Sequence, residues 1–147
     1  MKRKATILLA DDDKVQTAML SARLRTAGYS VATAYDATYT FMVAMKSPPD
    51  AVVLDIMMPG GTGRAVLERL KGSSKTRRIP VIVLSGLTDK HTIQDLLGLG
   101  ACEYLTKPVD VERLLDALQR ALGADEPAPS TNVPPATAQP SPPFTAS

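Results

Sequence analysis

The 147-residue sequence has little of what several protein classes require. A single cysteine, Cys102, excludes an intrachain disulfide, and we expect it to be a small buried side chain within a strand. No apolar run approaches the ~20 residues that cross a bilayer. The run after the basic start Met1–Lys4 ends at Ala10, before three aspartates, which is not a signal-peptide pattern. Arg77-Arg78 and the basic start lack interleaved aromatic residues. These absences indicate a cytoplasmic protein that binds neither membrane nor nucleic acid.

The overall composition is that of an ordinary globular protein, with 44% hydrophobic and 22% charged residues. It changes near Gly123, because residues 124–147 contain 7 of the 12 prolines and only two charged residues. Such a segment cannot bury enough surface to offset the entropy cost of ordering. We expect one folded domain over residues 1–123 and a disordered tail or linker over residues 124–147. Either the domain acts alone through protein contacts, or the tail connects it to more of a longer chain.

Short apolar runs alternate with amphipathic segments between residues 5 and 122. Runs bounded by turn-forming residues are typical of strands buried on both faces of a parallel sheet. We predict strands at residues 6–10, 30–34, 51–54, 80–85 and 102–105, and helices at residues 14–27, 37–46, 63–71, 89–98 and 110–122. The expected core stripe of the first helix is Val15, Ala18, Met19, Ala22 and Leu24. Five successive βα units predict an α/β fold, a doubly wound parallel sheet with helices on both faces.

Polar residues directly follow four of the predicted strands. In chain order they are Asp11-Asp12-Asp13, Asp55, Ser85 and Lys107. Because the carboxyl ends of parallel strands meet at one edge of the sheet, we expect these side chains to converge there. Asp13, with Gln16 three residues later, has the pattern of a helix N-cap and its capping-box partner, so we assign Asp13 a structural role.

The other three carboxylates are candidates for a functional site. They are Asp11, Asp12 and Asp55. At about 4 Å and an effective dielectric constant of 20, each pair would repel by roughly 4 kcal/mol, so they need a cation. An all-oxygen site with incomplete protein ligation suits Mg²⁺. Asp55 is either a turn residue or a nucleophile, because carboxylates accept phosphoryl groups. The Ser85 hydroxyl and the Lys107 ammonium would complete a clamp for such a group.

The chain resembles the receiver domain of bacterial response regulators over residues 5–122. The family pattern has an acidic pair after the first strand and a phosphoacceptor aspartate after the third, followed by a Met-Pro-Gly loop. A threonine or serine follows the fourth strand, an aromatic residue lies in the fifth, and Lys-Pro comes next. The matching residues here are Asp11, Asp12, Asp55, Ser85, Tyr104, Lys107 and Pro108, at intervals that fit the family. The resemblance implies a flavodoxin-like fold with strand order 2-1-3-4-5.

The resemblance also implies how the domain is phosphorylated. A sensor histidine kinase or a histidine phosphotransfer protein would donate a phosphoryl group to Asp55. Mg²⁺, for which Mn²⁺ can substitute, would be held by Asp12, Asp55 and the Met57 carbonyl, and by Asp11 through water. Lys107 would neutralise the phosphoryl charge. Similarity to the family also leads us to expect a cis Lys107-Pro108 peptide bond.

The implied output is a conformational switch rather than enzymatic turnover. Ser85, where the commoner family residue is threonine, would move toward the phosphoryl group. Tyr104 would then turn inward and change the surface formed by the fourth helix, the fifth strand and the fifth helix, which a downstream protein contacts. The resemblance implies a monomer or a weak dimer linked to phosphorylation, and leaves the downstream partner unknown.

Two alternatives belong to other functional classes. A haloacid-dehalogenase-type phosphatase would also use a strand-end aspartate and Mg²⁺, but it requires a second acid two residues after the nucleophile, where this chain has Met57. A degenerate receiver would instead be a protein-docking scaffold that works without phosphorylation.

The resemblance further implies a long phosphoryl lifetime. In the family, the side chains two residues after the acceptor aspartate and two residues after the serine or threonine influence hydrolysis. Here they are Met57 and Leu87, and neither can orient a water molecule by hydrogen bonding. We therefore expect slow self-dephosphorylation.

Overall fold

The computed structural model describes residues 4–58 and 62–123, which form alternating strands and helices. The strands are β1 (Thr6–Ala10), β2 (Ser30–Ala34), β3 (Ala51–Asp55), β4 (Val81–Ser85) and β5 (Glu103–Thr106). The helices are α1 (Lys14–Thr26), α2 (Ala37–Lys46), α3 (Gly63–Gly72), α4 (Lys90–Gly98) and α5 (Val111–Leu122). Each predicted element is present, with its ends within about one residue of the prediction. The predicted tail, residues 124–147, lies outside the described residues.

The five strands form one parallel sheet in the order β2-β1-β3-β4-β5. This confirms the predicted doubly wound, flavodoxin-like fold. All residues of β3 and β4 are buried, because helices cover both faces of the sheet at its centre. None of the described helices is long and apolar enough to cross a membrane.

Alternate residues of the central strands supply two separate cores. Ile7 and Leu9 of β1 pack with side chains of α1 and α5 on one face, whereas Leu8 and Ala10 pack toward α2, α3 and α4 on the other. This period of two is what a strand imposes on its side chains. The sheet is therefore held on both sides, and its carboxyl edge is a rigid platform for the residues that follow each strand.

The inward face of α1 differs from the predicted stripe. Its buried residues are Thr17, Leu20, Ser21 and Leu24, whereas Val15 is 82% exposed and Met19 is 49% exposed. Ala18 and Ala22 are exposed as well. The apolar pattern was misleading because Thr17 can be buried without losing its hydrogen bond: its Oγ1 donates to the Asp13 carbonyl at 2.8 Å. Of the predicted core stripe, only Leu24 lies in the core.

Two other local predictions concern the N-cap Asp13, which is confirmed, and the burial of Cys102, which is wrong. Asp13 is the N-cap of α1, as predicted, and its Oδ1 accepts the Gln16 N–H at 3.0 Å. The capping box is not closed, however, because the Asp13 backbone N–H donates to Asp11 Oδ1 at 2.9 Å, and the Gln16 amide donates to Asp11 Oδ2. The prediction for Cys102 was wrong: this residue is exposed and precedes β5, which begins at Glu103. β5 is an edge strand, so its start is less covered than the central strands.

Candidate acidic site at the carboxyl edge of the sheet

The sheet brings the predicted site residues to one edge. Asp55 and Ser85 are the last residues of β3 and β4, and Asp11 and Lys107 come directly after β1 and β5. Parallel pairing aligns these strand ends, since Asp55 is paired with Leu84 and Ser85 with Thr106. Residues up to 96 positions apart in the chain therefore share one small region.

Three carboxylates lie close together in this region. One oxygen of each of Asp11, Asp12 and Asp55 lies within 4.8 Å of the others. Asp11 is fully buried and Asp55 is 2% exposed, whereas Asp12 is exposed to solvent. Oxygen donors of this kind, open to water on one side, suit a hard divalent cation such as Mg²⁺.

Lys107 connects two of the acids. Its Nζ lies 3.0 Å from Asp55 Oδ2 and 3.3 Å from Asp11 Oδ2. The Lys107 backbone N–H donates to the Ser85 carbonyl at 2.9 Å, which ties the start of the following loop to β4. The Lys107-Pro108 peptide bond is cis, as predicted. The Oδ2 atoms of Asp11 and Asp55 therefore both face one ammonium group.

The pKa values of Asp55 and Lys107 are both shifted by their surroundings. Burial raises the pKa of Asp55, and the charge of Asp11 adds to this, against the hydrogen bonds from Lys107 and from the Met57 N–H. Burial alone would lower the pKa of Lys107, but the hydrogen bond and charge of Asp55, together with Asp11, raise it above its ordinary value. The neighbouring acids therefore favour the charged form of Lys107, whereas burial and the charge of Asp11 disfavour the charged form of Asp55.

The start of α3 lies close to the backbone at the end of β3. The Gly63 N–H donates to the Ile56 carbonyl at 2.8 Å, and a Cβ on Gly63 would lie 2.6 Å from the Asp55 carbonyl oxygen. Only glycine fits this approach without moving the backbone that carries Asp55. The Met57 N–H donates to Asp55 Oδ1 at 3.2 Å, so both oxygens of Asp55 have a donor. Pro59, Gly60 and Gly61 lie outside the described residues.

Ser85 and Tyr104 both contact the backbone of one residue, Leu87. The hydroxyl of the fully buried Ser85 accepts the Leu87 N–H at 3.1 Å. The Tyr104 hydroxyl donates to the Leu87 carbonyl at 2.5 Å. The two predicted switch residues are thus connected through a single residue of the β4–α4 loop.

Two exposed apolar side chains lie two residues after site residues in the sequence, Met57 after Asp55 and Leu87 after Ser85. Met57 is 65% exposed and Leu87 is 45% exposed. The structure thus leaves both of the side chains that we predicted to influence hydrolysis open to solvent.

Sequence analysis missed two contributors to this site. Gln16 was assigned to a capping box, yet its amide donates to Asp11 Oδ2 at 2.6 Å. Leu87 was noted for its side chain, whereas its backbone connects Ser85 to Tyr104. The position of Gln16 five residues after Asp11, within the first turn of a helix, was the available signal, but the choice between two partners depends on the fold.

Comparison with known proteins agrees with this geometry. Residues 7–119 match the response regulator receiver domain. Response regulator PleD of Caulobacter vibrioides is 38% identical over 106 residues, covering 72% of this chain and 23% of PleD. The transcriptional regulator RpaA of a Synechocystis species is 40% identical over 119 residues, covering 79% of this chain and 48% of RpaA. The chain thus spans about a quarter and about half of these two relatives.

Solved structures show the same fold. The chemotaxis protein CheY4 of Vibrio cholerae has a TM-score of 0.77 and 32% identity, and the match covers 82% of this chain and all of CheY4. The receiver domain of a sensor histidine kinase from Pseudomonas aeruginosa, determined with a magnesium ion in its active-site cleft, has a TM-score of 0.76 and 28% identity. That match covers 82% of this chain and 99% of the other.

The parallel sheet, the acidic cluster and the lysine define a receiver domain of two-component signalling. The chain belongs to the response regulator receiver family. Domains of this family are signalling switches that bind Mg²⁺ at an acidic site and interact with histidine kinases.

Proposed function

We propose that this domain accepts a phosphoryl group on Asp55 from a phosphohistidine of a sensor histidine kinase or a histidine phosphotransfer protein. The observation that carries the proposal is the position of Lys107, 3.0 Å from Asp55 and 3.3 Å from Asp11. One fixed cation next to a nearly buried carboxylate is what a phosphoryl acceptor needs, because the transferred group carries negative charge into the site.

In the transfer step, the two bonds that change join phosphorus to the acceptor carboxylate and to the donor imidazole. An oxygen of Asp55 forms a bond to phosphorus while the P–N bond breaks, and the imidazole leaves with the electron pair of that bond. Asp55 is held for this attack by hydrogen bonds from Met57 and Lys107. As charge develops on the transferring group, the Lys107 ammonium can follow it without leaving the site.

The donor set fits Mg²⁺, with Mn²⁺ as a substitute. Asp12, Asp55 and the Met57 carbonyl would hold the ion, and Asp11 would contact it through water. When bound, the ion would offset the mutual repulsion of the carboxylates and draw the phosphoryl oxygens toward Asp55. The proximity of the three acids supports this assignment, since their oxygens lie within 4.8 Å of one another.

Exposed apolar side chains near the acids are suited to docking the phosphodonor protein. Val15 lies two residues after Asp13, and Met19 lies one helical turn further along α1 on the solvent side. Met57 and Leu87 lie two residues after Asp55 and Ser85, at the same edge of the sheet. An apolar surface around a charged pocket would bind a protein and exclude water from the reacting groups.

We expect the output signal to depend on the two hydrogen bonds that join Ser85 and Tyr104 through the backbone of Leu87. In the structure, the Ser85 hydroxyl accepts from the Leu87 N–H and the Tyr104 hydroxyl donates to the Leu87 carbonyl. A phosphoryl group on Asp55 would attract the Ser85 hydroxyl, release Leu87 and free Tyr104 to turn inward. The surface of α4, β5 and α5 would change with it and be recognised by a downstream protein. The domain would thus switch between two side-chain packings and would not turn over a substrate. We assign this switch to a domain of residues 1–123, with residues 124–147 as a tail or linker.

Labelling with a small phosphodonor in Mg²⁺ tests the proposal directly. Wild type should gain a label that is lost in both acid and base, as expected of an acyl phosphate, and Asp55→Asn should gain none. The matched control is Asp116→Asn, an exposed acid of α5, which should be labelled like wild type. If wild type stays unlabelled while still binding a partner, the degenerate-scaffold alternative would replace the phosphoacceptor function. A label that survives Asp55→Asn would place the acceptor elsewhere.

A further inference from the structure

Both oxygens of the Asp11 side chain are held by groups from the start of α1. Asp11 Oδ1 accepts the Asp13 backbone N–H at 2.9 Å, and Asp11 Oδ2 accepts the Gln16 side-chain amide at 2.6 Å. Asp11 is fully buried, so water cannot take over these roles. A carboxylate with a donor at each oxygen cannot rotate about its Cβ–Cγ bond without breaking one of them.

Gln16 is itself held in place. Its backbone N–H donates to the N-cap Asp13 at 3.0 Å, and its neighbour Thr17 donates from its N–H and its hydroxyl to the Asp13 carbonyl at 2.9 and 2.8 Å. The amide of Gln16 thus projects from a helix start whose backbone is fixed by three further hydrogen bonds. This rigidity is what a residue needs in order to orient another side chain.

Oδ2 of Asp11 is the oxygen that faces the centre of the site. Lys107 Nζ lies 3.3 Å from this atom and 3.0 Å from Asp55 Oδ2, so the two oxygens face the same ammonium group. In the structure, Gln16 and Lys107 share Asp11 Oδ2. The Gln16 amide is neutral and lies on α1, whereas Lys107 is charged and would be drawn away toward a phosphoryl group.

We infer that Gln16 is a positioning residue for the divalent-cation site: its amide fixes the orientation of the Asp11 carboxylate whether or not Lys107 remains beside it. The inference rests on the proposed function, because it assumes that the acidic cluster binds Mg²⁺. Asp11 would contact the ion through a water molecule, and the donors that hold Asp11 would orient that contact, so their loss should lower the affinity for the ion. Gln16 would thereby lower the concentration of cation at which Asp55 becomes competent to accept a phosphoryl group.

The test is a titration of the full chain with Mg²⁺. Binding is measured by calorimetry and by the shift of the melting temperature that the cation causes. The variant is Gln16→Met, which keeps the length of the side chain but removes the amide donor. We expect its dissociation constant for Mg²⁺ to rise by about threefold to tenfold, no more than the low end of the range for groups that support a direct ligand, because Asp11 would act through water. Gln119→Met, which changes an exposed glutamine of α5, is the matched control and should bind like wild type.

A second measurement separates positioning from damage to the fold. The initial rate of labelling by a small phosphodonor should fall in Gln16→Met at low Mg²⁺ and recover to that of wild type at saturating Mg²⁺. A misfolded variant would not recover. An unchanged or tighter Mg²⁺ affinity in Gln16→Met, or a rate deficit that persists at saturation, would overturn the inference.

The same experiment distinguishes failure of the inference from failure of the proposed function. If wild type binds Mg²⁺ and is labelled on Asp55 while Gln16→Met is indistinguishable from it, only the role of Gln16 is wrong. If wild type itself neither binds Mg²⁺ nor is labelled, the phosphoacceptor function fails, and the inference about Gln16 fails with it.

Discussion

Replacing Asp55 with asparagine should stabilise the metal-free protein. The substitution preserves the shape of the side chain and an oxygen that can accept the Met57 N–H, but it removes one of three clustered negative charges. It also removes the ion pair with Lys107 at 3.0 Å. The sign of the effect depends on which of these two contributions is larger.

The structure allows an estimate of that balance. At 4.8 Å, the upper limit of the separation between the carboxylate oxygens, an effective dielectric constant of 20 gives repulsion of about 3.5 kcal/mol between Asp55 and each of Asp11 and Asp12. Attraction to Lys107 at 3.0 Å is about 5.5 kcal/mol on the same scale. The two repulsions together exceed the attraction by about 1.5 kcal/mol. The desolvation cost of the buried Asp55 carboxylate acts in the same direction.

Urea unfolding at pH 7 with EDTA should therefore show Asp55→Asn to be more stable than wild type by about 1–2 kcal/mol. Saturating Mg²⁺ should reduce or reverse this difference, because the cation stabilises wild type by binding to the folded state and the variant has lost a ligand. Asp116→Asn should change stability by no more than about 0.5 kcal/mol in either condition.

The pH dependence follows from the raised pKa of Asp55. Burial makes the folded state hold this proton more tightly than the unfolded chain does, so the contribution of Asp55 to stability is favourable at low pH. It is lost as the pH rises from the ordinary value of 3.8 through the raised pKa. The advantage of asparagine should thus be complete at neutral pH and shrink as the pH falls through this range. If Asp55→Asn is less stable than wild type in EDTA at neutral pH, the Lys107 attraction dominates and the estimate is wrong.

Three other variants test separate parts of the site. Asp12→Ala should abolish the rise in melting temperature caused by Mg²⁺ while the protein stays folded, and a shift equal to that of wild type would exclude Asp12 as a ligand. Tyr104→Phe removes the hydrogen bond to the Leu87 carbonyl, so amide hydrogen exchange in the β4–α4 loop should become faster in the unphosphorylated protein. Unchanged protection would contradict the role of Leu87 in joining Ser85 to Tyr104. Met57→Asn combined with Leu87→Glu should shorten the phosphoryl lifetime with little change in Mg²⁺ affinity, because both exposed apolar side chains are replaced by groups that can orient water. A wild-type lifetime of seconds, or a slower double variant, would refute the expected slow hydrolysis.

Much of the fold was predictable from local pattern. Residues 7–10 and 81–84 are apolar throughout, and runs of this length between turn-forming residues are typical of a strand covered on both faces. Asp13 caps its helix as its sequence context predicted. The strand-end positions of Asp55, Ser85 and Lys107 followed from the alternation of elements, because a parallel sheet brings such ends together.

The predictions that failed have two separate physical causes. Val15 and Met19 have apolar side chains at helical spacing, yet the sheet buries Thr17 and Ser21 instead. A short hydroxyl group can bond to its own helix backbone, so hydropathy alone does not decide which face turns inward. Cys102 was expected within a strand, but it lies just before the edge strand β5, where fewer neighbouring residues cover it.

The sequence by itself determined the alternating α/β architecture, the parallel sheet and the identity of the acids and the lysine at its carboxyl edge. These properties depend on the periodicity of side chains and on which residues directly follow each strand, and both are local. Only the tertiary structure decided which oxygen each donor contacts. Gln16 could close a box on Asp13 or reach Asp11, and Ser85 and Tyr104 could be held by many groups. Such choices depend on distances between separate elements, which packing sets to within a fraction of an ångström and no local pattern specifies.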